Sequence, residues 1–281
     1  FPRRTGLPDP QMTDLTSAFI AEVRKSRKYR GLDLPEDTLR DLIEQESGRH
    51  KSDRLALQAA RQLLHNLVAP YLGDPDYPAS AARLDEAFAS GEAEAIKNVC
   101  TDLLKTHAST RERLAYQEEF YAAIFAVTGI PITLLDLACG LNPLAIPWMG
   151  LPLTTQYHAY DLHQPRVELI NHYFKLQGIA ELAEHGDILI SPPKIKADVA
   201  FFFKEAHRFE QRRRGCNREF WLALNVNWLV VTLPASSLTG RHDLAVGHRK
   251  LVYETLSSLD WPVTELLVGN EMIFCIHKGA G

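Results

Sequence analysis

Three aspartates stand where an apolar run gives way to a turn: Asp136 in PITLLDLACG, Asp161 in YHAYDL and Asp187 in HGDIL. A packing strand gains nothing from a terminal carboxylate, because a buried acid must keep its hydrogen-bonding partners. A carboxylate at a strand's carboxyl end can instead serve a ligand. Asp136 suits a positively charged amino group, held directly or through water. Asp161 suits the two hydroxyls of a ribose, and Asp187 an exocyclic amine of adenine. Gly140 supplies the turn after the first run. One D-x-x-x-G occurs at many ordinary strand ends, so the weight lies on three acids in series.

The ligand these acids describe is a nucleoside without a pyrophosphate. A dinucleotide site would carry G-x-G-x-x-G, whose glycines let backbone approach the phosphates. ACGLNP has a single glycine followed by a proline. That turn favours S-adenosylmethionine over NAD, and no hydride-transfer constellation accompanies it.

The elements needed to hold such a rim are legible downstream of about residue 105. ITLLDLA, TTQYHAYDL, a short piece of LAEHGDILIS, ADVAFFF and WLVVTLPAS read as strands. PRVELINHYFKLQG, HRFEQRRRG and HRKLVYETLSSLDW read as helix between or after them. TELLVGNEMIFCIHK closes the chain as a hairpin about Gly269-Asn270. Such alternation predicts an α/β fold with a mostly parallel sheet, which binds ligands beyond its strand carboxyl ends. A helix through RERLAYQEEFYAAIFAVTG is expected to begin near Ser109 or Thr110, with a hydroxyl as cap. Upstream, residues 13–71 and 81–107 carry helical periodicity around the loop GDPDYPAS. The division expected is a helical domain over 1–105 and a catalytic domain over 106–281.

Composition bounds the rest. The 281 residues are 46% hydrophobic, enough for a sizeable core, and no apolar run approaches the roughly 20 residues that span a bilayer. The opening FPRRTGLPDP lacks a signal core, and four widely spaced cysteines suggest free thiols in a reducing cytoplasm. No compact His/Cys/Asp cluster points to a metal. Ser236, His242 and Asp243 lack a nucleophile elbow and read as an ordinary polar loop.

Net charge is −4, yet basic residues gather in three places. Arg24, Lys25, Arg27, Lys28 and Arg30 form one cluster. Arg212, Arg213 and Arg214 form a second, and Arg241, His242, His248, Arg249 and Lys250 a third. Each alone is an ordinary solvated face; three in an acidic chain point to a polyanion partner.

These pieces together resemble a known family. HASTRERLAYQEEFY, at 107–121, is similar to the His-x-Ser-Thr-x-Glu-Arg-Leu segment of the aminoglycoside-resistance 16S ribosomal RNA (guanine-N7) methyltransferases. DLACGLNPLAIP, YHAYDL, GDIL, KEAHRFEQ, SLTGR and GNEMIF follow in the family's order, so the resemblance covers about residues 105–278. It implies a Rossmann-like S-adenosylmethionine-dependent methyltransferase sheet with an amino-terminal helical domain. The implied substrate is 16S rRNA in the assembled 30S subunit, methylated at N7 of a decoding-site guanine by a cytoplasmic, monomeric enzyme. The resemblance carries cofactor contact onto Arg113, Asp136, Ala138, Gly140, Asp161 with Leu162, and the Asp187-Ile188 pair. It places Lys204, Glu205 and Gln211 around the methyl-transfer pocket. The RNA-facing set expected from the basic residues is Arg24, Lys25, Arg27, Lys28, Arg30, Arg208, Arg212, Arg213, Arg241, Arg249 and Lys250. One departure stands out: family members commonly carry lysine where this chain has Ser236, in LPASSLTGR.

The chemistry is compatible with these residues. Guanine N7 has a lone pair and no proton, so attack on a methyl group needs positioning rather than a general base. Competing expectations are methylation of another RNA nucleotide or a small molecule, and an inactive RNA-binding homologue that keeps only the sheet.

Overall fold

The computed structural model describes residues 10–69, 74–236 and 243–279. The chain divides into two compact units, residues 1–69 and 70–281.

The first unit contains α1 (Pro10–Lys25), α2 (Glu36–Ser47) and α3 (Asp53–Val68). Apolar spacing of three and four residues explains their pairing: α2 buries Leu39, Leu42 and Ile43, and α3 buries Ala56, Ala60, Leu64 and Val68. Phe19, Ile20 and Val23 of α1 complete the small core.

The second unit begins with α4 (Tyr77–Ala89) and α5 (Ala93–Thr106), then the short α6 (Ala108–Arg111) and α7 (Gln117–Thr128). Five strands follow with their helices: β1 (Thr133–Leu137), α8 (Ile146–Met149), β2 (Gln156–Asp161), α9 (Gln164–Leu176), β3 (Ala183–His185), β4 (Ala197–Phe203), α10 (Ala206–Arg212), α11 (Cys216–Ala223) and β5 (Val226–Pro234). Then come α12 (Ala245–Thr255), β6 (Val263–Val268) and β7 (Glu271–His277). The seven-stranded sheet runs β3-β2-β1-β4-β5-β7-β6, parallel except for β7, which is antiparallel to both neighbours. The α/β expectation is met.

Both faces of the sheet are covered, which is why its strands read as continuous apolar runs. Phe201 and Phe203 enter one core with Tyr121 and Phe120, while Phe202 enters the other with Phe209 and Phe220. Leu84, Cys100, Leu103 and Leu104 of α4 and α5 belong to the first core. These two helices, grouped from sequence with the amino-terminal extension, therefore pack with the sheet, and the break falls after residue 69 rather than at 105. Their amphipathic pattern announces a buried face but not what buries it.

One local expectation changes, and one unread segment gains a structure. Neither Ser109 nor Thr110 caps a long helix. Thr110 Oγ1 donates back to Leu104 O at 2.6 Å and to His107 O at 3.1 Å, and the chain passes through α6 and a 3₁₀ turn before α7 starts at Gln117. The sequence CNREFWLA, unassigned from periodicity, forms α11 after Gly215 in a left-handed conformation.

Candidate active site

The chain passes β1, β2, β3 toward one edge, then crosses to β4 and β5 on the other, so the order reverses between β1 and β4. The crevice beyond the carboxyl ends at such a reversal is where open α/β sheets bind ligands. Two residues here hold left-handed backbone without being glycine: Ala138, with φ 53°, follows β1, and Lys204, with φ 60°, follows β4. Each such residue costs roughly 1–2 kcal/mol, and strain of this kind gathers at functional sites.

Asp136 is buried at the end of β1, accepting from Asn142 Nδ2 at 2.9 Å and Tyr157 OH at 2.7 Å. Burial pushes its carboxyl up to about 7, against the pull of those two donors and of Arg113. Asp161 ends β2. Its Oδ2 takes Gly140 N at 3.0 Å and Arg166 Nη1 at 3.2 Å, and its Oδ1 takes His163 N at 2.9 Å. The β1–α8 loop is thus fastened to the end of β2 through Gly140, whose φ is +54°. A side chain at Gly140 would begin 3.0 Å from the His107 ring, so loop and ring pack without spare room.

Asp187 lies just beyond β3, its Oδ1 accepting from Leu189 N at 3.0 Å and its Oδ2 2.6 Å from Arg212 Nη1. This pair corrects one expectation. Arg212 is 8% exposed and committed to Asp187, so it is no member of an RNA-facing surface. Ile188 is buried beside it and Leu162, half-buried, accepts from His185 Nε2.

Arg113 is buried as well, with 2% exposure. Nη1 donates to Asn142 Oδ1 at 2.8 Å, and Nη2 and Nε donate to Glu271 at 2.8 and 3.3 Å. Its guanidinium lies 4.2 Å from the Phe120 centroid and 4.8 Å from that of Phe203, contacts worth about 1–2 kcal/mol when desolvated. Glu271 opens β7, and because β7 is antiparallel its first residue stands at the same rim, opposite Pro234 of β5. There it also accepts from Thr232 Oγ1 at 2.5 Å and lies 3.4 Å from Lys204 Nζ. Burial alone would raise the Glu271 carboxyl, but Arg113 and Lys204 outweigh it and hold the group below its ordinary value.

Lys204 Nζ reaches Glu112 Oε2 at 2.8 Å, and Tyr116 packs against Gly269 of the β6–β7 turn. The segment from Ala108 to Tyr116 is therefore tied to β4, to β7 and to the closing hairpin. Sequence reasoning named Arg113 and Lys204 but missed Glu271, Asn142 and Arg166. The one signal for Glu271 was an acid opening the otherwise apolar run EMIFCI.

Beyond β4, Glu205 meets Arg208 Nη1 at 3.3 Å, and burial raises its carboxyl. His207 and His248 face each other with ring centroids 5.5 Å apart. Burial, then His248 and Arg208, lower His207 to about 4, so the ring is neutral at pH 7. Gln211 is exposed on α10 and is not drawn into these contacts.

Of the basic clusters, Arg24, Lys25, Arg27, Lys28 and Arg30 are all exposed, with Arg24 paired to Glu36 and Lys28 Nζ 3.0 Å from His65 Nδ1. Arg213 is half-buried and Arg214 exposed. Arg249 is bonded to Glu265, and Lys250 lies 3.6 Å from Glu254. Arg241 and the SLTGR motif lie outside the described residues. Ser236, which precedes them, donates through N and Oγ to Asn270 Oδ1 at 2.9 and 2.8 Å and forms a bridge with Asp243.

A nucleoside cofactor with a cationic amino-acid tail fits this donor set. Asp161 has three donors for roughly four acceptor positions, leaving Oδ1 able to take a hydroxyl. Asp136 is a buried acid without a full counter-charge of its own, suited to an ammonium group. Among the described residues, no helix is long and apolar enough to cross a membrane, and no group of three or more His, Cys, Asp or Glu is arranged for a metal ion.

Comparison with known proteins bears on the family and the fold. The family model described as ribosomal RNA methyltransferase (FmrO) matches residues 25–275. A 16S rRNA (guanine(1405)-N(7))-methyltransferase of Frankia casuarinae is 32% identical over 261 residues, covering 91% of each chain. One from Serratia marcescens is 30% identical over 260 residues, covering 92% of this chain and 97% of its own. Among solved structures, the 16S rRNA methyltransferase RmtF in complex with S-adenosyl-L-homocysteine superposes with a TM-score of 0.74 at 26% identity, over 98% of this chain and all of that one.

Proposed function

The chain belongs to the ribosomal RNA methyltransferase (FmrO) family, and from that premise we propose that it methylates guanine N7 in the decoding site of 16S rRNA within the 30S subunit. The observation that carries this reading is the rim itself: Asp136, Asp161 and Asp187 stand at or just beyond the carboxyl ends of three adjacent parallel strands, beside the point where strand order reverses. The enzyme acts as a cytoplasmic monomer, and its activity confers aminoglycoside resistance by altering the drug's ribosomal site.

The residues divide the work. Arg113, Asp136, Ala138, Gly140, Asp161, Leu162, Asp187 and Ile188 hold S-adenosylmethionine. Bound there, it supplies an electrophilic methyl group on a sulfonium. Gly140 N and Arg166 fix Asp161, Asn142 and Tyr157 fix Asp136, and Glu271 fixes Arg113, so each group is aimed before ligand arrives. Lys204 and Glu205 stand at the pocket mouth beyond β4, and no residue there needs to take a proton. The Glu205 carboxyl can offset the positive charge that forms on the methylated base. A neutral His207 at the same mouth adds no repulsion to that cation.

Ribosome docking falls first to Arg24, Lys25, Arg27, Lys28 and Arg30, whose exposure suits phosphate contacts that position without reading sequence. Within the second unit, Arg208, Arg213, Arg249 and Lys250 are the candidates for phosphate contact. Ser236, where the resemblance leads one to expect lysine, is occupied with Asn270, so affinity at that point comes from elsewhere.

The test is methyl transfer from radiolabelled S-adenosylmethionine to unmethylated 30S subunits, free 16S rRNA and 50S subunits, with the label mapped to a nucleotide. Label at one guanine N7, on 30S alone, is expected. Tight cofactor binding with no label in any RNA would overturn the proposal.

A further inference from the structure

A buried polar cluster stands behind the end of β2. Arg166, on the first turn of α9, is 0% exposed. Its Nη1 donates to Asp161 Oδ2 at 3.2 Å, and its Nη2 donates to Asp74 Oδ1 and Oδ2 at 2.7 and 2.8 Å. Asp74 lies just ahead of α4, outside the strand–helix alternation. It also accepts from Tyr77 OH at 2.5 Å, and His163 Nδ1 lies 2.9 Å from its Oδ2. Burial would raise the Asp74 carboxyl, but His163 and Arg166 outweigh it and hold the group ionised.

A guanidinium buried between two carboxylates is retained only where both sides satisfy it, because desolvation otherwise exceeds the Coulombic gain. As a mere clamp between α4 and α9, the cluster would need only Asp74 and Arg166. Its third member is the acid at the ligand rim. Asp161 is thus held by Gly140 N from the β1 loop, by His163 N from its own loop, and by Arg166 from behind. A carboxylate rotates about its last torsion unless both oxygens are engaged. Arg166 fixes Oδ2 and leaves acceptor capacity on Oδ1.

We propose that Arg166, braced by Asp74, is a positioning residue that aims Asp161 at the ribose of the cofactor, so that the segment entering α4 sets cofactor affinity and ribose selectivity. This rests on the reading of Asp161 as the ribose acid. Arg166 touches no ligand in this scheme and acts through Asp161.

The measurement is calorimetric titration of the full chain with S-adenosylhomocysteine and with its 2′-deoxy counterpart, giving a ribose-to-deoxyribose affinity ratio. Thermal melting accompanies each variant. The native chain is expected to favour the ribose ligand by about tenfold, the scale on which a lost hydrogen bond to a charged group acts. Asp161→Ala should bring the ratio to about one. Asp74→Asn keeps the shape and the Tyr77 and His163 contacts while weakening the hold on Arg166, and should cut the ratio about threefold with a cooperative melt. Arg166→Gln should cut it further. A lower melting temperature with an unchanged ratio in Asp74→Asn would overturn the proposal and leave a structural clamp. An unchanged ratio in Asp161→Ala would instead overturn the assignment of the ribose acid itself. Should Arg166→Gln fail to fold, Asp74→Asn decides alone.

Discussion

Glu271 Oε1 accepts a hydrogen bond from Arg113 Nη2 at 2.8 Å, and the two side chains are 0% and 3% exposed. Removing one partner of such a pair strands the other charge. Glu271→Gln is therefore expected to destabilise the fold by about 3–5 kcal/mol, since Arg113 loses its acid while Lys204 keeps only Glu112. Denaturant unfolding checks it. A loss under about 1 kcal/mol would mean the pair is solvated or dispensable.

If Asp136 holds the cofactor's amino group as proposed, cofactor binding is expected to depend on pH. Its folded carboxyl titrates at about 7, against about 3.9 in an unfolded chain. Between those values the folded protein keeps a proton that the unfolded chain has released. This group's contribution to stability is thus greatest below the unfolded value and declines as pH rises toward 7. A cationic tail beside it favours the ionised form, so affinity climbs over the same interval and binding releases a proton. Titration calorimetry in two buffers of different ionisation enthalpy measures that release, and Asp136→Asn should abolish it.

Gly269 has no room for a methyl group. A Cβ there would stand 2.5 Å from Tyr116 Cζ and 2.6 Å from Cδ1, and the backbone φ of +56° is itself unfavourable for alanine. Gly269→Ala should cost about 2 kcal/mol or more. Tyr116→Ala in the same chain should recover part of that loss, giving a coupling energy in a double-mutant cycle. Additive effects would mean that ring and turn do not meet in solution.

The exposed cluster on the first unit should act on RNA and not on the cofactor. Replacing Lys25, Arg27 and Arg30 with alanine is expected to weaken 30S binding and to flatten its salt dependence, by roughly one unit of slope for each phosphate no longer neutralised. S-adenosylhomocysteine affinity should not change. An unchanged salt slope would remove this cluster from the docking surface.

The rim acids were legible because a carboxylate at the end of an apolar run has few structural uses. Their supports were not. Arg166 follows Asp161 by five residues and looks like any helix arginine until α9 turns it back onto the rim. Glu271 depends on the register of an antiparallel strand, which hydrophobic pattern does not encode. Arg212 sits among three consecutive arginines that sequence treats alike, yet packing buries this one against Asp187. Thr110 looked like a cap because caps are local, and its hydroxyl turned instead to a carbonyl of the preceding helix.

The Arg113–Glu271 pair also fixes when the site can exist. The two residues are 158 positions apart, and Glu271 belongs to the last strand of the sheet. During synthesis the arginine emerges long before its acid does. A growing chain that already contains the turn around Gly140 and the acids of β1 and β2 still carries Arg113 without its carboxylate partner. Completion of the buried rim around Arg113 thus waits for the carboxyl-terminal hairpin.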